Sequence, residues 1–95
     1  MEGYDVDTAL LRRYIDRRHA DALVIREALA ESRFEIIGNL GHQWKGNALS
    51  FGFPQLAEIG KDLEVAAGAR DRERVLDLVL QIEAFVKVER LKIKG

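Results

Sequence analysis

The sequence predicts an all-α fold, an antiparallel up-down four-helix bundle. Three observations carry this. Apolar residues recur at helical spacing along almost the whole 95-residue chain. A single proline interrupts it, so few positions forbid a helix. The stretches between periodic segments are short, which makes consecutive helices antiparallel neighbours. No strand pair is needed anywhere.

The first helix is expected from about Thr8 to Ala30, with Asp7 as its N-cap. Leu11, Ile15, Ala22, Ile25 and Leu29 form its apolar stripe, with Tyr14 at the edge. Arg12, Arg13, Arg17 and Arg18 share the other faces with Asp16 and Asp21, and a break near Arg18 is an open alternative. The second helix starts at Ser32, where Ser32-Arg33-Phe34-Glu35 matches the capping-box pattern. It runs to about Phe51 and stops at Gly52. Pro54 suits the first turn of the third helix, which runs to about Ala67 on a stripe of Leu56, Ile59, Gly60, Leu63, Ala66 and Ala67. Gly68 is the expected stop. Asp71 then caps the fourth helix, which reaches about Arg90. Its core face is Val75, Leu78, Val79, Ile82, Phe85 and Val86, and Lys87, Arg90, Lys92 and Lys94 suit the negative end of its dipole.

Composition sets further bounds. Residues 1–95 fit a single domain, with its core over about 8–90. There are no cysteines, so disulfides and thiolate zinc sites are excluded and packing alone holds the fold. No apolar run is long enough to span a bilayer. The N-terminal MEGYDVDTAL lacks the apolar region of a secretory signal. The cytoplasm is the expected location, with no membrane partner. The 15 basic residues nearly balance the 16 acidic ones, which argues against a nucleic-acid partner.

The second helix carries the functional signal. Gly38, Gly41 and Gly46 stand in its interior, each costing about 1 kcal/mol relative to alanine. On a helical wheel with His42 at 0°, Leu40 falls at about 160°, Phe51 at about 180° and Trp44 at about −160°. Ile36, Ile37 and Ala48 fill the flanks of that arc. The core therefore lies opposite His42, and the imidazole points to water. Gly38 and Gly46 sit at its i−4 and i+4 positions, and Asn39 and Lys45 at i−3 and i+3. The histidine stands in a clearing with one cation beside it. A neutral imidazole nitrogen attacks phosphorus competently, and Lys45 could hold the charge of a phosphoryl group. The bare positions would let a bulky partner bring its phosphoryl group close.

The run Gly38-Asn39-Leu40-Gly41-His42-Gln43-Trp44-Lys45-Gly46, followed by Gly52, resembles the histidine-containing phosphotransfer (HPt) domain family. That family's motif is His-x-x-Lys-Gly with a second glycine six residues later. Leu63-Glu64 followed by Ala66-Ala67 is similar to the Leu-Glu-x-x-Ala stretch of the family's next helix. The resemblance covers roughly residues 8–90. It implies a four-helix bundle that relays phosphoryl groups between aspartates of receiver domains. It also implies that His42 is the phosphorylation site, that Lys45 partners the phosphate and that Gly46 gives the receiver access. Gly52 would be a structural turn. Trp44 departs from the leucine or methionine usual there and should affect packing. The chain is expected to lack the extra N-terminal segment some members carry and to be a minimal member, either free-standing or excised from a longer protein.

Other residues have plainer readings. Gly41, at the core edge, and Gly60, on the third helix's stripe, are expected to permit close helix packing. Glu35 lies on the His42 face, but capping is its expected role. His19 is expected to be solvated and without a role. The arginines of residues 12–18 are read as a solvated face whose mixed charge could help choose a receiver. Gly38 joins Gly46 as an access position. Asn39, Gln43 and the exposed Leu49 are candidate docking contacts.

The expected function is a phosphorelay intermediate of two-component signalling, with response-regulator receiver domains and a hybrid histidine kinase as partners. No metal site is expected at His42. No glycine-rich phosphate loop is present, so no ATP site or bound cofactor is expected. Mg²⁺ would come with the partner receiver. The isolated chain should catalyse nothing, and a monomer is expected. One alternative is a bundle that binds and inhibits a receiver or kinase without being phosphorylated. Another is a structural bundle that self-associates around Leu49.

Overall fold

The apolar stripes of the four segments converge on one core. The computed structural model describes residues 8–94. It contains α1 (Thr8–Ala30), α2 (Phe34–Ser50), α3 (Pro54–Gly68) and α4 (Arg72–Lys94). Helix α1 is continuous through Arg18, and the expected cap at Asp7 lies outside the described residues. Ile15, Ile25, Ile37, Trp44, Leu56, Leu63, Leu78 and Ile82 are fully buried. Leu11 is only half-buried, whereas Tyr14, placed at the edge by the sequence, is buried and donates to Asn47 at 2.7 Å. Around the bundle α1 packs on α2, α2 on α3, α3 on α4 and α4 on α1. Helices α2 and α4 occupy opposite corners.

All three turns use one device. Ser32, Gly52 and Arg70 adopt φ of 58°, 83° and 54°. In each turn the N–H of the next residue bonds a carbonyl five residues back: Arg33 to Ala28, Phe53 to Ala48 and Asp71 to Ala66. This is a left-handed helix stop followed at once by the N-cap residue of the next helix. It corrects two expectations. Ser32 does not cap α2, because it ends α1; Arg33 occupies the N-cap without a side-chain bond, and the Ser32 Oγ accepts from Arg72 at 2.6 Å. Glu35 is exposed beside Arg33 rather than closing a capping box. Gly68 is the last residue of α3 rather than its stop, and Arg70 takes the left-handed position. Asp71 does cap α4, its Oδ1 accepting from the Arg74 N–H at 3.1 Å. Helix α4 runs four residues past the expected Arg90 to Lys94.

The two closest helices, α2 and α3, cross at Gly41 and Gly60. A Cβ on Gly41 would lie 2.5 Å from the Gly60 carbonyl oxygen. One on Gly60 would lie 2.7 Å from the Gly41 oxygen and 2.9 Å from the Lys45 nitrogen. Backbone meets backbone there, so neither position has room for a side chain.

The arginine-rich stretch is not wholly solvated. Arg18 and Asp21 are each only 6% exposed. The Arg18 Nε donates to the Asp21 Oδ2 at 3.0 Å, and the Trp44 indole Nε1 donates to that same oxygen at 3.1 Å. The Arg18 guanidinium lies 4.5 Å from the Tyr14 ring centroid. A buried indole N–H needs an acceptor, and Asp21 supplies it from α1. This network pins α2 to α1.

Two outcomes follow for stability, both readable by urea denaturation. Gly60→Val should cost about 2–3 kcal/mol by overpacking, while Gly46→Ala, whose Cβ meets nothing within 4 Å, should gain about 0.5–1 kcal/mol. Asp21→Ala should cost about 3–5 kcal/mol because it strands a buried guanidinium, and Asp21→Asn, which keeps an acceptor, should cost less.

Candidate functional site

His42 sits midway along α2, on the side turned away from buried Trp44. Its side chain is 66% exposed. Wheel geometry divides its neighbours between two flanks. Gly38, Gly41 and Lys45 lie toward α3, and Asn39, Gln43, Gly46 and Asn47 lie toward α1. The Asn47 bond to Tyr14 of α1 and the Gly41 contact with Gly60 of α3 fix those two directions.

The residue that completes the site is Glu64 of α3. Its Oε2 lies 3.0 Å from the His42 Nδ1, and its Oε1 accepts from the Lys45 Nζ at 2.9 Å. One carboxylate thus spans the histidine and the lysine. Sequence reasoning placed Glu64 in a matching stretch of the third helix but gave it no role. Only the register of α3 on α2, set by Gly41 and Gly60, reveals the contact.

The electrostatics follow from this triad. The bond from Lys45, and then that from His42, hold the Glu64 carboxyl below the usual glutamate range. An ionised carboxylate can only accept, so the proton of a neutral His42 ring resides on Nδ1 in this contact. Nε2 is then left with its lone pair, and no protein group bonds it among the described residues. The contact orients the ring, and the side chain as a whole stands exposed.

The surroundings differ on the two sides. Gly46 is open, with nothing within 4 Å of a Cβ placed there. Gly38 gives less room than the wheel implies: it is half-buried, and its Cβ position lies 3.5 Å from the Ala67 Cβ. Asn39, Gln43 and Leu49 are exposed, Leu49 by 61%. They form with Gly46 an open surface around the imidazole, on the outer and α1-facing sides of α2. A cleft lined by Tyr14, Arg17, Arg18, Asn47 and Phe51 lies between α1 and α2 and does not include His42. His19, on α1, is exposed near Glu83 and has no carboxylate clasp. Among the described residues, no group of three or more His, Cys, Asp or Glu side chains could hold a metal ion. No described helix is long and apolar enough to cross a membrane.

Chemically, the arrangement offers one exposed, oriented imidazole nitrogen with a cation one turn away. It suits a group that accepts a charged fragment from another macromolecule, because the ring stands on an open surface and not inside a pocket.

The family model described as the Hpt domain matches residues 9–90 of the 95-residue chain. Neither the curated proteins nor the solved structures return a match. The family match spans all of α2 and α3, and so every residue of the His42 site, and the chain belongs to the Hpt domain family.

Proposed function

We propose that this protein is a phosphorelay intermediate that carries a phosphoryl group on the Nε2 of His42. Its family works in histidine phosphotransfer within two-component and phosphorelay signalling, and its members interact with receiver domains and kinases. The observation that carries the residue-level reading is the Glu64 clasp. It holds the Nδ1 proton of an exposed ring and leaves Nε2 free to attack.

The donor is an aspartyl phosphate on a receiver domain. As the Nε2–P bond forms, the P–O bond to the aspartate breaks and the aspartate leaves as a carboxylate. The ring gains positive charge, and its Nδ1 proton remains shared with Glu64, whose negative charge stabilises that form. Lys45, three residues on from His42, supplies a cation for the phosphoryl oxygens. Delivery to a second receiver runs the same step in reverse. Positioning does most of the work in such transfers, and the open flank at Gly46 lets the receiver approach. Asn39, Gln43 and Leu49 form the docking surface around the ring. Magnesium belongs to the acidic pocket of the receiver. The carrier has no turnover of its own and works in the cytoplasm, where a receiver or a hybrid histidine kinase supplies the phosphoryl group.

Mixing the protein with phosphorylated receiver domains and Mg²⁺ tests this. Acid-labile, base-stable phosphate should appear on the protein and vanish in His42→Gln. No label from any receiver of the source organism would sink the proposal. Lys45→Ala should slow transfer by about tenfold, or about 1.4 kcal/mol of transition-state stabilisation, with helicity unchanged. Gly46→Gln should impair transfer from the receiver without lowering the melting temperature.

The clasp itself makes a pH prediction. Glu64 titrates below its ordinary range, so the contact persists through neutral pH and is lost as pH falls through that lowered value. At neutral pH, ¹⁵N chemical shifts should report the Nδ1–H tautomer of His42. Glu64→Ala should move the population toward Nε2–H, and unchanged shifts would show that the clasp does not set the tautomer.

A further inference from the structure

Helix α4 has two apolar faces. One is buried and is made of Val75, Leu78, Val79, Ile82, Phe85 and Val86. The other points outward and carries Leu76, Leu80, Val88 and Leu91, exposed by 42%, 53%, 49% and 67%. Exposed Ala84 lies between them. These five positions fall within an arc of about 120° on the helix surface. They step by four, four, four and three residues, the spacing of a helix-pairing seam. Scattered exposed leucines need no explanation, but apolar residues gathered along one arc of a helix form a candidate interaction surface.

We propose that this surface pairs with the α4 of a second copy of the chain, antiparallel, about a two-fold axis near residue 82. Charge complementarity selects that occupant. The outward arc carries Glu73 and Asp77 in its first half and Lys87 in its second. Asp77 and Lys87 have no ion-pair partner among the described residues. In the antiparallel register that sets Asp77 opposite Lys87 of the second copy, Leu76 falls opposite Val88 and Leu80 opposite Ala84. The same register sets Leu91 opposite Glu73 at each end of the seam, so it matches both charges and these two apolar pairs, and the two-fold axis repeats each contact. An in-register parallel pairing would instead set Asp77 against Asp77 and Lys87 against Lys87, and like charges repel. Of the two orientations, only the antiparallel one pairs opposite charges.

The pairing leaves the carrier site free. Helix α4 packs on α1 and α3 and lies at the corner of the bundle opposite α2. A dimer joined through α4 presents both copies of His42 outward. It differs from association around Leu49, which would cover the imidazole. The inference replaces the expected monomer, and it stands whether or not His42 carries phosphate.

Sedimentation equilibrium of the full chain, from about micromolar to about millimolar, tests it. The mass should rise from the 10.8 kDa of one chain toward twice that value. Leu80→Glu should raise the concentration of half-dimerisation by about tenfold or more, with the helical circular dichroism unchanged. Asp77→Lys and Lys87→Asp should each weaken the dimer, and the double exchange in one chain should restore it. A chain that stays at monomer mass throughout overturns the proposal, and this is also the result expected if another protein covers α4. A dimer indifferent to Leu80→Glu, or one the double exchange fails to restore, overturns it equally.

Discussion

Where α2 crosses α3, nothing separates the two backbones but van der Waals contact. Gly41 and Gly60 make that possible, since a Cβ on either would collide with the other's carbonyl oxygen. The rest of the site follows from the closeness. One helical turn beyond Gly41 stands Lys45, and one turn beyond Gly60 stands Glu64. The short separation lets the Glu64 carboxylate cross to α2 and bond both Lys45 and His42. A wider crossing would leave three exposed, independent side chains. The glycine pair converts a surface histidine into one whose ring is held by a carboxylate from the next helix. The helix gives up some intrinsic stability for this, since interior glycines are poor helix formers.

The opposite side of α2 is held just as firmly. Trp44 is fully buried, with its Cβ against the space Gly60 leaves and its indole nitrogen on Asp21 of α1. Arg18 completes the charge balance from within α1. Helix α2 is therefore fixed in rotation from both neighbours: α3 through bare backbone and α1 through a buried polar network. Such networks can secure a unique arrangement even where they add little net stability. Here the arrangement secured is the outward aim of His42. The exposed pairs Arg26–Glu83 and Asp16–Arg90 link α1 to α4 at 2.8 Å, but exposed pairs of this kind contribute little.

Much of this was legible in the sequence, and the physical reasons are clear. Four helices and most of their core residues follow from periodicity, which records the burial of one face. The position of His42 opposite Trp44 and Leu40 follows from helix geometry alone. The close-packing role of Gly41 and Gly60 was also readable, because glycines on a core stripe have few other uses. The turns were less so. Gly52 announces its left-handed conformation, whereas Ser32 and Arg70 adopt the same one without being glycine. Ser32 therefore looked like a helix start when it is a helix stop. The Arg18–Asp21 pair was hidden because charged residues are rarely buried unless paired, although a buried tryptophan calls for an acceptor. Glu64 was hidden for a different reason. Its role depends on how α3 slides along α2, and no local pattern within either helix records that register.

The most direct test of the proposed carrier role is to find which atom, if any, takes up phosphate. The chain has two histidines, so ¹⁵N-histidine labelling gives a resolvable long-range ¹H–¹⁵N spectrum. After reaction with a phosphorylated receiver, the Nε2 resonance of His42 should show the shift and ³¹P coupling of an N–P bond. Nδ1 should not, and His19 should be unchanged. Phosphate on Nδ1 of His42, or on His19, would contradict the account.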